Sequence, residues 1–185
     1  MGKVFGSRFT QLFTYADISI RVVEQRDLEK IRALRNDQST WIYLTDVLFV
    51  SAPAQEHWFA KISESTDRKY FVVHDTDHEF IGIVRCDEID YLNRSMRIGC
   101  DIVPELRGQG YGSRVYDLLF KYCFDFMNMH RLWLLVIDTN QVAIRLYTRK
   151  GFREEGRYRE SLFRDGHYHD YITMSILEDE YRSRV

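Results

Sequence analysis

Residues 102–113 read Ile102-Val103-Pro104-Glu105-Leu106-Arg107-Gly108-Gln109-Gly110-Tyr111-Gly112-Ser113, with glycine at every second position from Gly108 to Gly112. Glycines so spaced let backbone N–H groups converge, and the positive end of a following helix adds partial charge, so the segment can seat phosphate oxygens. It lacks the Gly-Lys-Ser/Thr ending of a P-loop, and it is not the G-x-G-x-x-G of a dinucleotide fold. The competing reading is a tight strand-to-helix turn that happens to be rich in glycine. Thirty residues after Gly110, Asn140, Ala143 and Tyr147 stand at i, i+3 and i+7, on one face of a helix, followed by Lys150-Gly151-Phe152. A small residue between two polar ones leaves room for a ligand chain.

Three further sets of reactive residues point to less. Cys86, Cys100 and Cys123 have no C-x-x-C spacing, so the pattern is neither a zinc site nor a disulfide frame. Cys86 or Cys100 as a nucleophile has no motif partner, and a free cysteine is usually a small buried hydrophobe. His167 and His169 would share a strand face, but no third ligand is visible, so we expect no metal there and a hairpin that lines the substrate. Residues 145–164 hold seven basic side chains against three acidic ones; such a run can attract RNA but is more often a solvated face, in which Arg149 or Lys150 meets cofactor phosphate.

The elements that must position these residues follow from periodicity. Residues 18–23 alternate as a strand, and Leu28, Ile31 and Leu34 repeat helically after Asp27, a candidate cap. Ser51 and Pro53 open a second helix through Trp58, Phe59 and Ile62, after a less regular stretch over residues 41–50 that reads as a loop or broken helix. Residues 70–74, 79–90 and 95–103 predict an antiparallel meander, with turns at Thr76-Asp77 and Leu92-Asn93. Val115, Leu118, Leu119, Tyr122 and Phe126 predict one crossover-helix stripe before the buried parallel strand 132–137. A helix over 141–150 stopped by Gly151, then strands 152–158 and 168–177, close the layout.

Composition sets the class. The chain has 185 residues, 45% hydrophobic and 29% charged, which predicts one globular domain. Lys and Arg minus Asp and Glu is 26 − 28 = −2, a balance that offers little affinity for a nucleic-acid backbone. No apolar run approaches the roughly 20 residues of a membrane span, and Met1–Gly6 lacks both the apolar core of a secretory signal and the Ser/Thr of a myristoylation signal. The expectation is a cytoplasmic protein with no nucleic-acid or membrane partner.

Arg107-x-x-Gly110-x-Gly112 together with Asn140-x-x-Ala143-x-x-x-Tyr147-x-x-x-Gly151-Phe152 resembles the GNAT superfamily of acetyl-CoA-dependent N-acetyltransferases. The element order fits that family from residue 18 to 177. Leu34-Arg35-Asn36-Asp37, His57-Trp58-Phe59 and the ending from Glu155 to Tyr168 are similar to the branch of ribosomal-protein N-terminal, spermidine and nucleotide-aminosugar acetyltransferases. The resemblance implies an α/β fold, a single GNAT-like domain whose mixed, mostly antiparallel sheet of about seven strands is flanked by about four helices. That domain would cover 18–178, between an N-terminal extension, 1–17, and a tail, 179–185.

For the site, the resemblance implies acetyl-CoA as acetyl donor, with no metal. Its diphosphate would lie on Arg107, Gly108, Gln109, Gly110, Tyr111, Gly112 and Ser113, and its pantetheine along Ile102 and Val103. Asn140, Ala143, Tyr147 and Lys150 would complete the contacts. Tyr147 would be the general acid that protonates the leaving sulfur. The glutamate that several relatives carry five residues before Asn140 is replaced by Leu135, so the base falls to Glu88 first, then Asp87, Asp90 or Asp101. The implied reaction is direct transfer to a primary amine of a small molecule, an aminosugar nucleotide or a polyamine, by a monomer or homodimer. The alternatives are a protein N-terminus, such as that of a ribosomal protein, and a non-catalytic acyl-CoA-binding module.

Overall fold

Ile18 and Ile20 are buried while Ser19 and Arg21 stay half-exposed, the two-residue period of a strand with one face on a core. The computed structural model describes residues 12–45 and 49–184. The opening segment tested for targeting signals and residues 46–48 of the irregular stretch lie outside the described residues.

The strands are β1 (Leu12–Tyr15), β2 (Ile18–Val22), β3 (Lys69–His74), β4 (Gly82–Asp90), β5 (Ser95–Ile102), β6 (Arg131–Ile137), β7 (Arg153–Arg164) and β8 (His167–Leu177). They form one sheet in the order β1-β2-β3-β4-β5-β6-β8-β7. Every pairing is antiparallel except β5 with β6, the pair that needs a crossover helix. The helices are α1 (Leu28–Asn36), α2 (Gln38–Trp41), α3 (Ala52–Glu64), α4 (Tyr111–Phe120), α5 (Gln141–Arg149) and α6 (Glu178–Arg182). On one face Leu28, Ile31 and Leu34 of α1 and Trp58 and Phe59 of α3 pack on Val72 and Ile83. On the other, Val115, Leu118 and Leu119 of α4 and Ala143, Ile144 and Leu146 of α5 cover Val84, Met96, Leu132 and Leu134.

The described residues hold eight strands and six helices, against expectations of about seven and four. β1 falls inside the segment expected as an extension, and it escaped notice because LFTY shows no alternation and stays largely exposed. α6 falls in the expected tail; its Tyr181 stacks on Phe124 at 4.9 Å. Two local expectations are corrected. Asp27 accepts no cap hydrogen bond from α1; it is buried and takes Arg21 Nη1 at 2.6 Å and Nη2 at 2.7 Å. The stripe through Phe126 breaks where α4 widens into a π turn over Lys121–Phe126, leaving Phe126 exposed.

Two features of the sheet shape the site. The β5–β6 ladder runs only from Ser95↔Arg131 to Arg97↔Trp133, after which the two strands part. The β4–β5 ladder slips between Asp87 and Asp90, a bulge at which Glu88 takes φ +52°.

Candidate active site

The wedge between β5 and β6 opens into a cleft of 650 Å³ that runs from the glycine loop to the sheet's other face. Along β5, Val103 N donates to Ile81 O at 2.9 Å. By the alternation of an antiparallel ladder, Asp101 and Gly99 then bond to β4, while Cys100 and Ile102 turn their backbone groups toward the wedge. Ile102 therefore turns its N–H to the open edge, while its carbonyl accepts from Arg107 Nε. Val103 does not: its amide is spent on β4 and its side chain packs on the α1–α3 side.

The glycine loop is built to be approached closely. Gly108 and Gly110 have φ of +76° and +84°, with open space where a Cβ would stand. Gly110 is also the N-cap of α4, so the first-turn amides of Tyr111, Gly112 and Ser113 meet no acceptor among the described residues. Gly112 serves packing, since a Cβ there would come 3.2 Å from Leu146 of α5. These features fit a diphosphate. The loop's side chains do other work. Arg107 Nε donates to Ile102 O at 2.9 Å and its Nη atoms donate to Ser39 and Thr40 of α2, which locks the loop to that helix. Gln109 donates to Glu105 O, and Tyr111 is buried with its hydroxyl donating to Asp75 at 3.0 Å.

Asn140 is the N-cap of α5; its Oδ1 accepts from Ala143 N at 3.2 Å, and both residues line the cleft. Lys150 lies outside that lining, with Nζ 2.6 Å from Asp117. Tyr147 lines the wedge, its ring 5.3 Å from Tyr116 and 5.8 Å from Phe152. Burial pushes the Tyr147 phenol up to about 12, so it keeps its proton throughout the neutral range. Beside it lies the buried Tyr116 hydroxyl; burial and contact with the Tyr147 phenol raise the Tyr116 pKa, and that contact offsets part of the rise in Tyr147. Cys100 also lines the cleft, but burial pushes its thiol up; a thiol held protonated is a poor nucleophile.

Of the candidate bases, Asp87 and Asp101 line the cleft, whereas Glu88 and Asp90 do not. Glu88 sits half-exposed on the bulge, 3.2 Å from Arg97. Asp90 accepts from Asn93 N and Nδ2. Asp87 is buried and accepts from Tyr70 Oη at 2.6 Å, with Arg97 at 3.6 Å. Leu135 stands on the β6 wall. Sequence alone does not single out Arg85, Arg97, Thr45 and Tyr171, which also line the cleft. For Arg85 there is a signal nonetheless: Ile83, Arg85 and Asp87 alternate onto one face of β4. Thr45 and Tyr171 share a hydrogen bond of 2.8 Å, and buried Arg164 donates to the carbonyls of Leu44 and Thr45, pinning that loop to the β7–β8 hairpin.

Among the described residues no three His, Cys, Asp or Glu side chains gather as a metal site. Nor is any described helix long and apolar enough to cross a membrane.

Comparison with known proteins matches this geometry. The sequence model of the acetyltransferase (GNAT) family aligns with residues 28–152. The spermidine N(1)-acetyltransferase of Vibrio cholerae is 31% identical over 91% of this chain and 98% of the relative. The L-amino acid N-acetyltransferase of Escherichia coli is 25% identical over 88% of this chain and 99% of the relative. A crystal structure of the Vibrio cholerae spermidine enzyme in complex with CoA and spermine superposes with TM-score 0.86, covering 91% of this chain and 99% of that one. A further structure of that enzyme, at TM-score 0.78 and 31% identity over 92% of this chain and 99% of that one, is described as dodecameric.

Proposed function

We propose, from the premise that this chain belongs to the acetyltransferase (GNAT) family, that its cleft carries an acetyl group from acetyl-CoA directly to the primary amine of a small molecule. The observation that supports this most is the continuity of the cleft, from the glycine cradle past Tyr147 to the Asp87 carboxylate on the far face.

The chain's residues divide the work. The amides of Gly108 to Ser113 would hold the diphosphate, the open edge at Cys100 and the Ile102 N–H would hold the pantetheine arm, and Asn140 and Ala143 would flank it. Bound there, acetyl-CoA supplies an acetyl group activated as a thioester. Tyr147 donates a hydrogen bond to the departing sulfur. Full proton transfer from a phenol near 12 to a thiolate near 8.5 is uphill by about 5 kcal/mol, so Tyr147 stabilises the developing charge and the proton follows as the amine gives its own up. Asp87, rather than Glu88, accepts the amine proton, directly or through one water, because it lines the cleft and Glu88 does not, while Asp101, which lines it too, is engaged by Arg85.

The spermidine enzymes make a polyamine the first acceptor to test. The amino-acid enzyme supports a second class, an amine that carries an anion, and the arginines of the cleft favour it. The expected monomer or homodimer has a larger assembly as its alternative, given the dodecameric relative. Initial rates at several concentrations of both substrates test direct transfer. Intersecting reciprocal lines are expected, and parallel lines, the sign of an acyl-enzyme, would reject it.

A further inference from the structure

The acceptor side of the cleft holds a guanidinium most of whose donors the fold leaves unused. Arg85 extends from β4 flat across Gly99 of β5, where a Cβ would come 2.9 Å from its Nη2 and 3.1 Å from its Nε. Asp101 Oδ1 takes one of its N–H groups, from Nη2 at 3.3 Å, and among the described residues no other acceptor meets the guanidinium. Four of the five donors of this fork therefore face the cleft or its wall. Arg97 lines the same face, but Asp87 and Glu88 meet it at 3.6 and 3.2 Å. What sets Arg85 apart is therefore its unused donors, not an excess of positive charge.

We propose that the acceptor is a primary amine carrying its own anionic group, a carboxylate or a phosphate, and that Arg85 is the specificity-determining residue that receives it. This rests on the acetyltransferase reading and narrows its substrate. A planar guanidinium matches both anions bidentately, and its hydrogen bonds to them are among the strong ones. A polyamine, whose ammonium groups only donate, would leave those donors unmet. The Arg85 cation would also disfavour the ammonium form of an amine held beside it, which eases proton transfer to Asp87. Gly99 fits as well, since any side chain there would push the guanidinium off the wall.

The test measures kcat/KM for wild type, Arg85→Gln and Arg85→Lys on four amines: spermidine, an uncharged aminohexose, the phosphate ester of that aminohexose, and an amino acid. Wild type should prefer the phosphate ester or the amino acid, and whichever wins identifies the anion. Arg85→Gln should lose about 10- to 100-fold more on that acceptor than on the uncharged aminohexose, mostly through KM. Arg85→Lys should recover part of the loss, which a mere folding defect would not allow. Spermidine as the best wild-type acceptor, or an equal loss on all four amines in Arg85→Gln, would overturn the assignment while leaving the acetyltransferase reading intact. Failure to acetylate any amine would overturn both.

Discussion

In the proposed reaction Tyr147 and Asp87 work on either side of the wedge, one giving a hydrogen bond to sulfur and the other taking a proton from nitrogen. Tyr147→Phe keeps the ring packed on Tyr116 and Phe152 and removes the donor. We expect kcat to fall by about 10²–10⁴ with acetyl-CoA affinity nearly unchanged, read by steady-state rates and calorimetry. The pH dependence has a definite sign. With its phenol near 12, Tyr147 is protonated below that value, so the wild-type rate should rise with the amine's ionisation and stay level past pH 10. An unperturbed phenol would show a descending limb near 10.

For the base, Asp87→Asn should lower kcat/KM more than Glu88→Gln does. Its deficit should be largest below the amine's pKa and shrink as pH rises, because solution then supplies neutral amine. A larger deficit for Glu88→Gln would return the base to the bulge. The sequence could rank these carboxylates but not orient them. Glu88 leaves the cleft because the ladder slips at its own position, and no residue type there announces a bulge.

At the scale of elements, the glycine loop joins β5 to α4, and its conformation depends on Gly108 and Gly110 occupying left-handed backbone. Gly110→Glu strains that turn and places a carboxylate in the cradle. Acetyl-CoA affinity should fall at least about 10-fold in calorimetry, with folding checked by circular dichroism. Unchanged affinity in the folded variant would remove the cradle assignment. Spacing alone revealed this loop, because glycine patterns and helix starts are local. It did not reveal what the side chains do. Arg107 reads as a phosphate ligand, yet it ties the loop to α2 through Ser39 and Thr40, partners 67 and 68 residues away in sequence. Such long-range bonds leave no periodic trace, and Arg164 on the Leu44–Thr45 carbonyls is another.

The whole molecule was legible in order but not in extent. The meander, the crossover helix and the buried β6 show their periods plainly, since each buries one face or both. β1 and α6 do not: one is four exposed residues, and the other is five residues tied down by Tyr181 alone among its apolar side chains. The β5–β6 ladder ends at Arg97↔Trp133, and the parting of the two strands beyond it joins the glycine loop and the Arg85–Asp87 wall in one cleft. The claim that one reaction runs through this cleft is tested most directly by incubating the full chain with acetyl-CoA and the four amines, and following products by mass spectrometry together with released thiol. The account predicts a product heavier by one acetyl group on the primary nitrogen, with one thiol released per product. Thiol release without acetylated amine, or acetylation of the protein in place of the amine, would contradict it.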